Sequence, residues 1–202
     1  TRRSSDLTAL SAGLSVEEII LNGISKATDV AGGGRHMSNH FAKPEWNIHN
    51  VSSCTGNHAQ HAAGTGRAFK KYNNTKGVSI YSSGESAVSE GYVYEAINGA
   101  TNERLPVIFV FQDNGYGISV PKAEQTANRK VADNFEGFRF LKIFHCNGKD
   151  VFDSMNTMHE AKQYVMENQM PAIVHASVVR MGSHSNSDRH ELYRDEAERN
   201  YV

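Results

Sequence analysis

Two neighbouring stretches decide the fold: V-S-I-Y-S-S-G-E-S, from Val78 to Ser86, and P-V-I-F-V-F-Q-D-N-G-Y-G, from Pro106 to Gly117. Each is a short run of β-branched and aromatic residues that stops abruptly on polar residues and glycine, the mark of a strand feeding a loop. Between them, Glu90 to Glu103 has helical spacing. Working outward, F-L-K-I-F-H-C (Phe140 to Cys146) and A-I-V-H-A-S-V-V (Ala172 to Val179) repeat the strand pattern. A second helical segment, Asp150 to Asn168, separates them, with Asp150 as its N-cap. Strands alternating with helices predict an α/β fold, a doubly wound and mostly parallel sheet with helices on both faces.

Upstream, S-V-E-E-I-I-L-N-G-I-S-K-A places Ser15 as N-cap and Glu18 at the third helical position, a capping box that predicts a helix to about Ala27. The glycine run Gly32 to Gly34 ends regular structure and opens a polar loop to Val51. A further helix is expected over Thr55 to Tyr72, where Ala59, Ala62, Ala63, Gly64 and Ala68 make an unusually small surface. That surface suits either a subunit interface or close packing on the chain's own sheet.

The 202 residues suffice for a sizeable core, and without internal repeats or a clear linker one domain, residues 1–202, is expected. Twenty-one Lys and Arg against twenty-two Asp and Glu leave a formal charge of −1, which argues against a nucleic-acid partner. No apolar window approaches the roughly 20 residues of a membrane span. Neither a membrane anchor nor an export signal is expected. Cys54 and Cys146 form no C-x-x-C pair, which fits a reducing compartment. The start at Thr1 and the stop at Val202 suggest a piece of a longer chain.

Glu85 and the Asp113-Asn114 pair close two strands that a crossover places side by side, so their oxygens can converge. A carboxylate, an amide oxygen and a main-chain carbonyl form the hard donor set that magnesium prefers. Gly84 allows close backbone approach there, and the following helix start offers N–H groups to a phosphate. Taken alone, Glu85 reads first as an ordinary acid at a helix start, a balance that the second strand end reverses, and Ser53 and Thr55 read equally as helix caps. His36, His40, His58 and His61 have spacings that would suit zinc, but the first pair sits in a glycine-flanked loop and no H-E-x-x-H follows. A dinucleotide site is disfavoured because no G-x-G-x-x-G follows the first strand.

Three blocks in order carry a resemblance. G-E-S-A-V-S-E-G-Y (Gly84 to Tyr92), closing on Asp113-Asn114, resembles the thiamine-diphosphate motif of the alpha subunit of 2-oxoacid dehydrogenase decarboxylating components. G-R-H-M-S-N-H (Gly34 to His40) precedes it. R-M-G-S-H-S-N-S-D (Arg180 to Asp188), then Tyr193-Arg194, follows it. The resemblance spans nearly the whole chain and the branched-chain and pyruvate members alike. It implies a thiamine-diphosphate-binding fold and a thiamine-diphosphate-dependent oxidoreductase.

Carried over, it implies Glu85, Asn114 and the Tyr116 carbonyl as magnesium ligands, with Gly84, Ser86 and Ala87 against the diphosphate. Ser53 and Thr55 would border the cofactor, and His40 the channel by which substrate enters. His184 would be the catalytic histidine facing the cofactor's reactive end, and Ser185 stands where mitochondrial relatives are phosphorylated. Arg3 would take the place of the family's phosphate-clamping arginine. Three departures stand out: Gln112 where branched-chain members carry Arg, Asp113 for the first Asn of N-N, and Ser86 for Gly or Ala. They motivate an alternative, a catalytically inactive assembly module of the same fold.

The implied reaction is decarboxylation of a branched-chain 2-oxo acid; the alternatives are decarboxylation of pyruvate and cleavage of acetoin. The acyl group would pass to a lipoyl acyltransferase. The implied assembly is a heterotetramer with a beta subunit, or a fused beta-like half, without which the chain would be catalytically incomplete. Its compartment would be a bacterial cytoplasm or the mitochondrial matrix.

Overall fold

The computed structural model describes residues 9–50, 52–72 and 76–200. Arg3 therefore lies outside the described residues. The chain divides into two compact units, residues 1–54 and 55–202.

In the first unit, helix α1 (Val16–Gly23) starts on the expected capping box. Ser15 N–H donates to Glu18 Oε2 at 2.8 Å and Glu18 N–H donates to Ser15 Oγ at 3.2 Å. The helix stops short of Ala27 because Ser25 takes a left-handed conformation, with φ of 54°. Lys26 N–H then donates back to the Leu21 carbonyl at 3.0 Å, the wide bond of a Schellman turn. A serine in the position where glycine is usual hid that stop from the sequence. A small apolar cluster of Ala9, Leu14 and Phe41, joined by Ile19 and Trp46, holds the unit together.

The second unit runs through α2 (His58–Lys71), β1 (Ser79–Gly84), α3 (Gly91–Glu103), β2 (Val107–Asp113), the two-residue strands β3 (Tyr116–Gly117) and β4 (Val120–Pro121), and α4 (Lys122–Gln125). It continues with β5 (Lys142–Asn147), α5 (Val151–Asn168), β6 (Ala172–Ser177) and α6 (Glu196–Arg199). The main sheet has the order β1-β2-β6-β5 with all pairs parallel, and β3 and β4 form an antiparallel hairpin. The chain thus skips a place after β2 and returns to fill it with β6. The expected strands and crossover helices are present, with ends shifted by a residue or two. Asp150 caps α5 as anticipated, accepting from Phe152 N–H and Asp153 N–H.

Strand alternation sends side chains to two faces. Tyr81, Phe109, Phe111 and Ile173 pack with Ala59 and Ala62 of α2 and with Val93 and Ile97 of α3. On the other face Ile108, Ala172 and Val174 meet Ala161 and Val165 of α5. The parallel sheet is therefore covered on both sides, with β2 contributing to both layers. The small residues of α2 have a physical reason within the chain. A Cβ on Gly66 would lie 2.6 Å from Val107 Cγ2, so only glycine permits this approach to the sheet. Among the described residues no helix is long and apolar enough to cross a membrane.

Phe109 is fully buried, whereas Ile80 on the outer strand β1 is 59% exposed. Phe109→Ala is expected to cost about 3–5 kcal/mol in urea unfolding, and Ile80→Thr about 0.5 kcal/mol or less.

Candidate functional site

Where β1 and β2 end, register does the positioning. Gly84 pairs with Gln112, so the next residues leave two adjacent parallel strands at the same level. β1 runs into a 3-10 turn, Glu85–Ser89, that leads to α3. β2 runs into Asn114 and Gly115, and Gly115 takes φ of 83°, a left-handed conformation that favours glycine.

This brings Glu85 and Asn114 together. Glu85 Oε2 accepts from Asn114 N–H at 3.1 Å and from Asn114 Nδ2 at 3.3 Å, and Oε1 accepts from Ser86 Oγ at 3.3 Å. Glu85 is only 2% exposed. Burial pushes its carboxyl above the ordinary range, the Asn114 N–H pulls it back, and the Asp113 charge pushes it further up. Asn114 Oδ1 is buried and has no hydrogen-bond donor among the described residues. A buried amide oxygen left bare beside a buried carboxylate is costly, and a bound cation is one way to satisfy both.

The other expected residues distribute as follows. Ala87 is buried in the same turn, and the Ser86 carbonyl accepts from Gln125 Nε2 at 2.9 Å. The nearest atom to a Cβ built on Gly84 would be the Gln112 carbonyl oxygen at 3.9 Å, an ordinary contact, so nothing in the chain itself demands glycine there. A Cβ on Gly117 would lie 2.4 Å from Ser86 Oγ, so the hairpin is seated directly on the turn. Gln112 is not drawn into the Glu85 cluster; its Nε2 donates to Ser82 Oγ at 2.9 Å.

Thr55 precedes Gly56, whose Cβ would sit 3.1 Å from the Ala87 carbonyl oxygen. Helix α2 begins only at His58 with Asn57 at its N-cap, so neither Ser53 nor Thr55 caps it. In the first unit, Ser53 Oγ lies 2.6 Å from His40 Nε2. No group of three or more His, Cys, Asp or Glu is placed to hold a metal among the described residues.

The Tyr116 ring is taken up by the late loop. Its hydroxyl donates to Glu198 Oε2 at 2.9 Å, and its centroid lies 5.8 Å from that of Tyr193. The loop is tied down by Arg180, which donates to the Ile118 carbonyl at 2.8 Å and to the Tyr193 hydroxyl at 2.6 Å. Asp188 accepts from Tyr193 at 2.7 Å and from the His184 N–H at 2.6 Å. These bonds hold its carboxyl below the ordinary range. His184 is thus fixed through its main chain.

Sequence reading missed a buried ionic group at the end of β2. Asp113, 5% exposed, lies against His175, 1% exposed, and Lys122. Burial raises the Asp113 carboxyl, but the hydrogen bonds from His175 and Lys122 outweigh it and hold it low. The available signal was His175 itself, the lone ionisable residue within the apolar run of β6. Beyond it opens a cleft of about 460 Å³ lined by Asp113, Asn114, Lys122, Arg129, Lys130 and His175, among others.

The model of a family described as "Dehydrogenase E1 component" matches residues 3–202. The chain is 31% identical over 186 residues to the mitochondrial 2-oxoisovalerate dehydrogenase subunit alpha of Caenorhabditis elegans, covering 92% of this chain and 42% of that protein. It is 37% identical over 131 residues to the pyruvate dehydrogenase E1 component subunit alpha of Rickettsia bellii, covering 64% and 40%. It spans about two fifths of the length of these relatives. Among solved structures, the transketolase of Campylobacter jejuni aligns with a TM-score of 0.54 and 21% identity over 63% of this chain and 20% of that one. That likeness bears on the fold alone.

The raised Glu85 carboxyl has a consequence for stability. Its favourable contribution is present below the unfolded value near 4.5 and is lost as pH rises through the higher folded value. With divalent cations chelated, Glu85→Gln is therefore expected to raise Tm at pH 8 and to change it little near pH 4. Thermal melts across that range check the sign.

Proposed function

The chain belongs to the dehydrogenase E1 component family, and we propose that it is the alpha part of a 2-oxoacid dehydrogenase that decarboxylates with thiamine diphosphate and magnesium. The observation that carries this reading is the Glu85–Asn114 contact, a buried carboxylate facing an amide whose oxygen lacks a donor among the described residues. Glu85, Asn114 Oδ1 and the Tyr116 carbonyl are the hard oxygens that would hold magnesium, leaving positions for phosphate oxygens. Thiamine diphosphate, when bound, supplies the electron sink for loss of carbon dioxide from a 2-oxo acid.

The chain's own residues have the remaining tasks. Gly84, Ser86 and Ala87 would lie against the diphosphate, where the room beside Gly84 admits a ligand. Thr55 would contribute backbone beside them. Gln112 brings no charge, and its amide is already engaged by Ser82. The N–H groups of the Glu85–Ser89 turn are thus left with the larger share of phosphate binding. His184, held through its N–H by Asp188, would steady the substrate carboxylate or the acyl group in transfer, a role for a ring that can donate a hydrogen bond or pass a proton.

The partners in this reading are a beta-type subunit that completes the site and a lipoyl acyltransferase that takes the acyl group. The compartment is a bacterial cytoplasm or the mitochondrial matrix. A branched-chain 2-oxo acid is the favoured substrate, because the relative named for 2-oxoisovalerate aligns over 92% of this chain. Pyruvate is the second reading, supported by the higher identity of the shorter pyruvate dehydrogenase match.

Reconstituted with its beta partner, the protein is expected to release carbon dioxide from 2-oxoisovalerate faster than from pyruvate. Asn114→Ala and Glu85→Ala should each lower the rate on the order of 100-fold or more. Both should abolish magnesium-dependent thiamine diphosphate binding in calorimetry. A wild-type assembly that binds no thiamine diphosphate would overturn the assignment, and a preference for pyruvate would exchange the substrate.

A further inference from the structure

We propose that Asp113, His175 and Lys122 form a positioning clamp that fixes the turn presenting Asn114 and the Tyr116 main chain to a divalent cation. The inference rests on the cation site proposed above and adds residues that hold its ligands without touching the ion.

Every acceptor of Asp113 is in use, and each use draws in a different piece of chain. Oδ1 accepts from Gly115 N–H at 3.0 Å, inside the turn itself. Oδ2 accepts from Lys122 Nζ at 2.6 Å, just past the hairpin, and from His175 Nε2 at 2.9 Å, on the neighbouring strand β6. The Asp113 carbonyl accepts from Val178 N–H at 2.8 Å. Asn114 and Tyr116 lie between Asp113 and Lys122. Lys122 also reaches into that segment, because its own N–H donates to the Gly115 carbonyl at 2.8 Å. A short loop pinned at both ends has few conformations, so its two cation-facing groups are held in place before an ion arrives.

The chemistry requires an acid at position 113. Donors approach both carboxyl oxygens, and an asparagine would offer only one acceptor there and turn an NH2 group toward the other set of donors. Aspartate at this position therefore belongs with Lys122 and His175 as one set. The same bonds have a second effect: with both oxygens occupied, Asp113 is withheld from the ion although it is adjacent in sequence to Asn114. Glu85 is left as the carboxylate available to the ion.

The test uses the chain assembled with its beta partner and reads Mn2+ binding by electron paramagnetic resonance in the presence of thiamine diphosphate. Lys122→Met and Asp113→Asn are expected to weaken Mn2+ binding at least tenfold, and Lys122→Arg to restore it to within about threefold. Val165→Ala serves as control: it opens a cavity on the opposite sheet face and should lower Tm without changing Mn2+ affinity. Lys122 lies outside both apolar cores, so Lys122→Met remains informative if Asp113→Asn does not fold. Wild-type affinity in Lys122→Met would overturn the clamp and leave the cation site standing. Absence of Mn2+ binding by the wild-type assembly would overturn both.

Discussion

One pairing register, Gly84 opposite Gln112, determines whether the Glu85 carboxylate meets Asn114 at all. Two neighbouring parallel strands end at the same level, and their next residues share a small buried volume. A slip of one residue would turn the side chains of β1 or β2 to the opposite face. The register is secured by the alternation in β2, where Phe109 and Phe111 must reach one layer and Ile108 the other. The chemistry at the strand ends is thus a by-product of apolar packing further along the same strands.

That arrangement puts two carboxyls at the edge of one sheet in contrasting states. Asp113 is held low by a lysine and a histidine, while Glu85 is buried among weaker donors and driven up. Environments that push neighbouring acids apart assign them different tasks. One carboxyl fastens the turn, and the other has no counter-charge of its own among the described residues. The unbalanced polar group is a cost to the metal-free fold, and it lies where a ligand would repay it.

The order of strands and helices was legible because parallel strands buried on both faces read as continuous apolar runs, and the crossover helices as helical spacing between them. The meeting of Glu85 with Asn114 was legible because neighbouring parallel strands that end at one level bring their next residues together. The end of α1 was not, since Ser25 gives no outward sign of its left-handed backbone. Nor was the start of α2, where residue types suited to capping at Ser53 and Thr55 pointed too early. The Asp113–His175–Lys122 group was invisible for a different reason: His175 and Asp113 are 62 residues apart, and only the pairing of β6 beside β2 unites them. The ring contacts of Tyr116 with the late loop are hidden in the same way.

The place that β6 fills has a consequence for synthesis. β2 takes its second neighbour only after β5 and α5 have been made, because β6 enters between strands that precede it in the chain. At about 5–20 residues per second, the apolar edge of β2 waits for several seconds on the ribosome with its hydrogen-bonding groups bare. During that interval the nascent β1–α3–β2 piece exposes an unpaired strand edge, a template on which another chain could pair.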